Sequence, residues 1–185
     1  DWFAQIFHNR SDAGKTRLLR TDQPIVDKST LTVFQLQNAF QMGPRQRFTY
    51  GTDILYTRPN TEMTINGANE DDDDVNEFGF YLQSETKLGE MVDLVAAARF
   101  DDHNHIDKAV FSPRVALVLK PDPTNTVRFT YNRAFSTPTS NNLFLDLVAS
   151  PDVYGLGANF GPAMPFDPAI DLRTQGSMTG FTYNR

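Results

Sequence analysis

Residues 111–145 read FSPRVALVLKPDPTNTVRFTYNRAFSTPTSNNLFL, and the alternation within them decides the class of fold. Phe111, Val115, Leu117 and Leu119 are large and apolar, whereas Ser112, Arg114 and Lys120 fall between them. After Pro121-Asp122-Pro123-Thr124-Asn125, a stretch of turn formers, the pattern resumes with Val127, Phe129, Tyr131 and Phe135 against Arg128, Thr130, Asn132 and Ala134. Period-two alternation predicts two strands with unlike faces, joined as a hairpin. In a soluble sandwich the aromatic face looks into a core. In a membrane barrel it meets lipid while the polar face lines the interior.

Composition narrows the choice. Only 39% of the 185 residues are hydrophobic, and mean hydropathy is −0.43. No run of about 18 apolar residues occurs, which excludes a helical membrane protein. A barrel remains open, because each of its strands needs only about 9–11 residues with every second one toward lipid. The absence of cysteine removes disulfides and thiolate metal sites. A formal charge of −6 without a concentrated basic stretch argues against nucleic acid as a partner. The chain opens on Asp1-Trp2-Phe3 and stops in Phe181-Thr182-Tyr183-Asn184-Arg185, so both ends read as cuts in a longer chain.

Working outward from the hairpin, the same alternation predicts strands at about 2–9, 30–41, 46–57, 77–88, 91–101, 111–120 and 126–135. One face carries Phe48, Tyr50, Ile54 and Tyr56 in the third of these, Phe78, Phe80 and Leu82 in the fourth, and Val127, Phe129 and Tyr131 in the last. The other face carries the charges Asp53, Glu85, Asp93, Arg99, Asp101, Arg114 and Arg128. Met42-Gly43-Pro44-Arg45 and Gly89-Glu90 read as tight turns, and the links at 10–29 and 58–76 read as long and polar. From 136 to about 178, Pro138, Pro151, Pro162, Pro165 and Pro168 forbid central strands, so this stretch reads as one large irregular loop with a helical turn near 142–148. Phe181–Arg185 repeats Phe129–Arg133 letter for letter, which shared alternation explains without an internal duplication.

Short and long links alternate along the chain. A soluble meander has no reason to segregate its loops in this way, but strands crossing a membrane do: turns on the periplasmic side are short and extracellular loops are long. The expectation is an all-β chain forming part of a transmembrane antiparallel up-and-down β-barrel. The aromatic face then meets lipid, and the charged face turns to the lumen.

Several stretches carry a resemblance. Thr49–Asp53 (TYGTD), Phe78–Glu85 (FGFYLQSE), Leu94–Asp101 (LVAAARFD), and above all Phe111–Arg114 (FSPR) through Arg128–Phe135 (RFTYNRAF) to Pro138 resemble, in order and spacing, the barrel region of TonB-dependent receptors of the bacterial outer membrane. The resemblance spans about 30–145, and the sequence contains neither plug nor coupling motif. It implies a barrel of about 22 strands, of which roughly a third is present here. It also implies active import of a scarce ligand such as a siderophore-iron complex, cobalamin or a glycan. The implied partners are outer-membrane lipid and lipopolysaccharide, the ligand itself, and the inner-membrane TonB complex reached through the plug. Two other readings remain: a closed barrel of about eight strands acting as adhesin or anchor, and a soluble β-sandwich binding module whose aromatic faces pack on one another. An unclosed barrel exposes its edges and a wide apolar face, so the isolated stretch is not expected to fold stably.

No constellation reads as catalytic. With three histidines, His8, His103 and His105, and no cysteine, no nucleophile and base can be assembled. Asp101-Asp102-His103-Asn104-His105 and Asp107 offer metal-ligand chemistry, but a polar loop at a strand end is the plainer reading. The run Glu70–Asp74 lacks the spacing of a calcium loop and reads as a solvated acidic loop that divalent ions could bridge to lipopolysaccharide phosphates. No cofactor and no metal site is expected.

Overall fold

The computed structural model describes residues 1–12 and 17–177. Its strands are β1 (Trp2–Arg10), β2 (Arg17–Leu18), β3 (Pro24–Ile25), β4 (Thr30–Met42), β5 (Gln46–Arg58), β6 (Val75–Lys87), β7 (Val92–His103), β8 (Val110–Asp122), β9 (Asn125–Asn132), β10 (Asp146–Ser150) and β11 (Leu172–Gln175). Two short α-helices, α1 (Ser140–Phe144) and α2 (Leu156–Phe160), and two 3-10 turns, Gly67–Asn69 and Gly161–Ala163, complete the regular structure among the described residues. The residues divide into two compact units. One comprises Asp1–His8, Leu31–Tyr56 and Val75–Thr137, and the other Asn9–Thr30, Thr57–Asp74 and the described part of Pro138–Arg185.

The first unit is a single sheet in the order β1-β4-β5-β6-β7-β8-β9, with β1 and β9 as its edge strands. From β4 to β9 each strand pairs with the next in sequence, and β1 pairs with β4 because β2 and β3 form a separate two-stranded sheet, so the connectivity of the large sheet is up-and-down. The fold is thus all-β and antiparallel, and the sheet is not closed on itself. Short turns are built by the residues that favour them. Gly43 adopts φ of +70°, in the left-handed region that glycine enters freely. Between β8 and β9, the Asp122 carboxylate accepts from the backbone N–H groups of Thr124 and Asn125, each at 2.9 Å, which closes the turn that Pro121 and Pro123 could not close with backbone donors.

Register fixes the faces. Phe80 lies opposite Phe100, which lies opposite Phe111, and Val115 and Leu117 face Tyr131 and Phe129. On the reverse side Tyr81, Arg99 and Ser112 form one row, and Gln83, Ala97, Arg114 and Asn132 the next. The aromatic row has no core beneath it: Phe129 is 61% and Tyr131 66% exposed. Among the described residues the buried apolar side chains of this unit are Ala39, Val75 and Ala116, all small. A sandwich would bury its aromatics between two sheets, and this unit holds one.

In the second unit, the stretch read from sequence as one irregular loop contains α1, α2 and the antiparallel pair β10–β11. The Thr139 hydroxyl caps α1 by accepting from Asn142 N, and Leu143 and Phe144 are buried. β9 ends at Asn132, short of the expected 135, and Arg133 N then donates to Pro113 O at 3.0 Å. The repeat at Phe181–Arg185 lies outside the described residues.

Candidate functional site

The polar face of the sheet carries the one extended constellation of charged and hydrogen-bonding side chains in the first unit, and it is built by a repeated device. Tyr81 on β6 leans over Gly51 on β5 and donates to Gln37 Oε1 on β4 at 2.7 Å. Arg99 on β7 leans over Gly79 on β6 and reaches Asp53 on β5, with Nη1 at 2.7 Å from Oδ2. In each case a long side chain crosses a glycine on the adjacent strand and bonds a polar group two strands away. Arg99 Nε also donates to Asp101 Oδ1 at 2.7 Å, while Gln35 Nε2 donates to Asp53 Oδ1 at 3.1 Å. The Arg99 guanidinium lies 5.9 Å from the centroid of the Tyr81 ring.

The remaining charges singled out from the sequence share this face. Glu85 accepts from Gln83 Nε2 at 2.7 Å, and Asp93 forms an ion pair with Lys120. Arg128 Nε donates to Thr130 Oγ1 at 3.2 Å and thus stays on its own strand. The exposed Arg114 side chain makes no hydrogen bond or ion pair among the described residues and lines a cleft of about 780 Å³. The floor of that cleft includes Tyr81, Gln83, Ala97 and Asn132, and the strap Arg133–Thr137 bounds it.

The opposite face gathers the aromatic residues. Phe78, Phe80 and Leu82 are exposed, as are Val127, Phe129 and Tyr131. Since Asp53 points to the polar side, alternation puts Phe48, Tyr50, Ile54 and Tyr56 on the aromatic one. There Phe48 stacks on Phe40 at 5.4 Å between centroids, and Tyr50 meets Trp2 edge-on at 6.4 Å. Gly51, Gly79, Gln35, Gln37 and Tyr81 were not singled out from the sequence as site residues. The available signal was a glycine at a polar-face position of an otherwise regular strand, which marks close approach by another group.

The histidine cluster does not assemble. His103 is buried, and its Nδ1 accepts from the backbone N–H of His105 at 3.0 Å. A neutral ring whose Nδ1 is an acceptor carries its proton on Nε2 and offers no lone pair there. His105 meanwhile shares a hydrogen bond with Asn104 at 3.1 Å. Among the described residues no group of three or more His, Cys, Asp or Glu is placed to hold a metal ion.

The second unit corrects the reading of Glu70–Asp74 as a uniformly solvated loop. Glu70 turns inward, its carboxylate accepting from the backbone N–H groups of Thr61 and Glu62. Asp73 is buried and accepts from Asn66 Nδ2 at 2.6 Å. Burial pushes the Asp73 carboxyl up to about 6, with Asn66 opposing the shift and Glu70 and Asp74 adding to it. Asp146, also buried, takes a forked pair from Arg173 at 2.9 and 2.8 Å and a third bond from Ala68 N at 3.0 Å. Burial alone would raise its carboxyl, but the Ala68 N–H, Arg173 and Gln175 together hold it below the ordinary value.

A family model described as "TonB dependent receptor-like, beta-barrel" matches residues 2–175. No curated protein and no solved structure matches the chain.

Proposed function

Because the chain belongs to the TonB-dependent receptor β-barrel family, whose members are outer-membrane transport proteins rather than enzymes, we propose that it forms part of the wall of an active importer in the bacterial outer membrane. In this reading the seven-stranded sheet is one arc of a larger barrel, in which plugged transporters use about 22 strands. Phe48, Tyr50, Ile54, Tyr56, Phe78, Phe80, Leu82, Val127, Phe129 and Tyr131 meet lipid, and the network of Asp53, Arg99 and Asp101 faces the lumen with Glu85, Asp93, Arg114 and Arg128. The long links face outward, toward lipopolysaccharide and the incoming ligand. The ligand is scarce and bulky, of the siderophore-iron, cobalamin or glycan class. Energy reaches the barrel from the inner-membrane TonB complex through the plug.

The observation that carries this reading is the single sheet with two open faces, one aromatic and one a lattice of cross-strand polar contacts. Exposed aromatics on that scale are costly in water and favourable in hydrocarbon. The test is to express the full-length protein in a Gram-negative host, fractionate the envelope, and measure uptake of candidate ligands with and without an intact TonB gene. Recovery in the outer membrane with TonB-dependent uptake is the expected result. A soluble product, or uptake indifferent to TonB, would sink the reading.

A further inference from the structure

We propose that His103 is an acid-sensitive latch: its neutral, buried ring holds the turn between β7 and β8 closed, and uptake of a proton by that ring opens the turn. The latch depends only on local geometry at the end of β7, so it is independent of the transport reading, to which it adds a response to acidity.

His103 is the last residue of β7, beyond the 91–101 stretch expected to cross the membrane, and is 4% exposed. Its carbonyl oxygen accepts from Ile106 N at 3.0 Å and its Nδ1 from His105 N at 3.0 Å, so one residue closes the turn twice. Asn76 and Asn104 tie the base of the turn: Asn104 N donates to Asn76 O at 3.2 Å, and Asn76 N to Asn104 Oδ1 at 3.0 Å. With Nδ1 an acceptor, the ring proton sits on Nε2, and that buried nitrogen has no hydrogen-bond partner. A second proton can enter only at Nδ1. There it faces the His105 N–H, donor against donor, so the bond that closes the turn is lost and the charged ring keeps an Nε2–H without an acceptor. The charged groups around the ring do not offset this. Glu77, opposite on β6, is engaged by the Thr137 hydroxyl, and Asp101 by Arg99. Asp102 favours the charged ring, but burial first and His105 second oppose it, and the ring is held below its ordinary 6.5. An open turn takes up the proton at that ordinary value while the closed turn refuses it. Closure is therefore fully stable above about pH 6.5 and weakens as pH falls, by up to roughly tenfold per pH unit, the slope of one proton.

The test is hydrogen exchange of the full-length protein in detergent micelles at about pH 7.5 and about pH 5.5, corrected for the intrinsic chemical rate and followed in the 104–108 segment. Opening there should rise several-fold, up to roughly tenfold, over that range, while protection of 79–83 in β6 stays level. Nitrogen NMR of the imidazole rings should show His103 as the Nε2–H tautomer at the higher pH. His103→Gln and His103→Phe, which cannot take up a proton, should remove the pH dependence, whereas His105→Gln should keep it. Exchange in 104–108 that ignores pH, a His103 proton on Nδ1, or a pH dependence that survives both His103 substitutions overturns the latch. Loss of the dependence in His105→Gln assigns it to the other ring and overturns the latch as well. Because the tautomer is read on the unaltered protein, the latch stays testable where a substitution prevents folding.

Discussion

The Tyr81 hydroxyl sits over Gly51, where a Cβ would stand 2.5 Å from it and 2.6 Å from the Leu36 carbonyl oxygen. One of these contacts is a flexible side chain, but the other is backbone of the neighbouring strand and cannot move aside. Gly51→Ala should therefore destabilise the barrel by about 1–3 kcal/mol, the usual scale of overpacking. Tyr81→Phe keeps the ring and loses only the bond to Gln37, so about 1 kcal/mol is expected. Heat-modifiable migration of the full-length protein on gels would rank the two. A larger loss in Tyr81→Phe than in Gly51→Ala would contradict the geometry.

Arg99 holds two carboxylates at once. Its removal leaves Asp53 and Asp101 facing each other across the sheet, so Arg99→Ala should cost more than Asp53→Asn, which removes one charge and keeps the hydrogen-bonding shape. Because the Arg99 side chain is 40% exposed, solvent screening reduces the expected cost to about 1–2 kcal/mol. Arg99→Lys, a point charge without the fork, should fall between them. A double-mutant cycle on the same thermal readout would measure the coupling, and additive losses would show that the two side chains act independently.

Asp73 should give the 58–74 segment an unusual pH response. Its carboxyl lies near 6 in the folded protein against an ordinary 3.8, so between these values the folded state binds more protons than the unfolded one. Stability then falls as pH rises from about 4 to 6 and is level above that. Limited proteolysis within 58–74 should accordingly quicken across this window. Asp73→Asn, which still accepts from Asn66, should remove the slope. A wild-type protein equally resistant at both ends of the window would count against a buried acid here.

Asp146 behaves in the opposite sense. Its carboxyl is held below the ordinary value, so the stability it contributes is present above about pH 4 and fades as pH falls through its lowered folded value. Asp146→Ala strands the Arg173 guanidinium and leaves the Ala68 N–H without its acceptor. About 2–3 kcal/mol is the expected local cost, discounted because Arg173 is partly exposed. Hydrogen exchange of β10 and β11 would report it, and unchanged protection in Asp146→Ala would refute the role.

The isolated 185-residue chain, refolded in water without lipid or detergent, should aggregate. Two strand edges and an aromatic face with Phe129 and Tyr131 more than half exposed offer surfaces for other copies. A monodisperse monomer with protected strand amides would show that the sheet is stable in water by itself.

Local pattern was enough for the seven strands of the large sheet, the short turns between them and which of their residues share a face, but not for the short strands β2, β3, β10 and β11. Those follow from period-two alternation and from Gly, Pro and Asp at turns, all properties of residues within a few positions of one another. Phe78, Phe80 and Leu82 on one side and Tyr81, Gln83 and Glu85 on the other could be separated without knowing any neighbouring strand. What meets across strands is visible only once the strands are paired. That Tyr81 rests on Gly51, that Arg99 finds Asp53 rather than Glu85, and that Arg114 finds nothing depend on register between segments far apart in the chain. Likewise Asp73 and Asp146 look like any solvated acid in the sequence, and only closure of the 58–74 and 138–177 segments buries them, because burial is set by which distant atoms fold over a group and not by its neighbours in sequence.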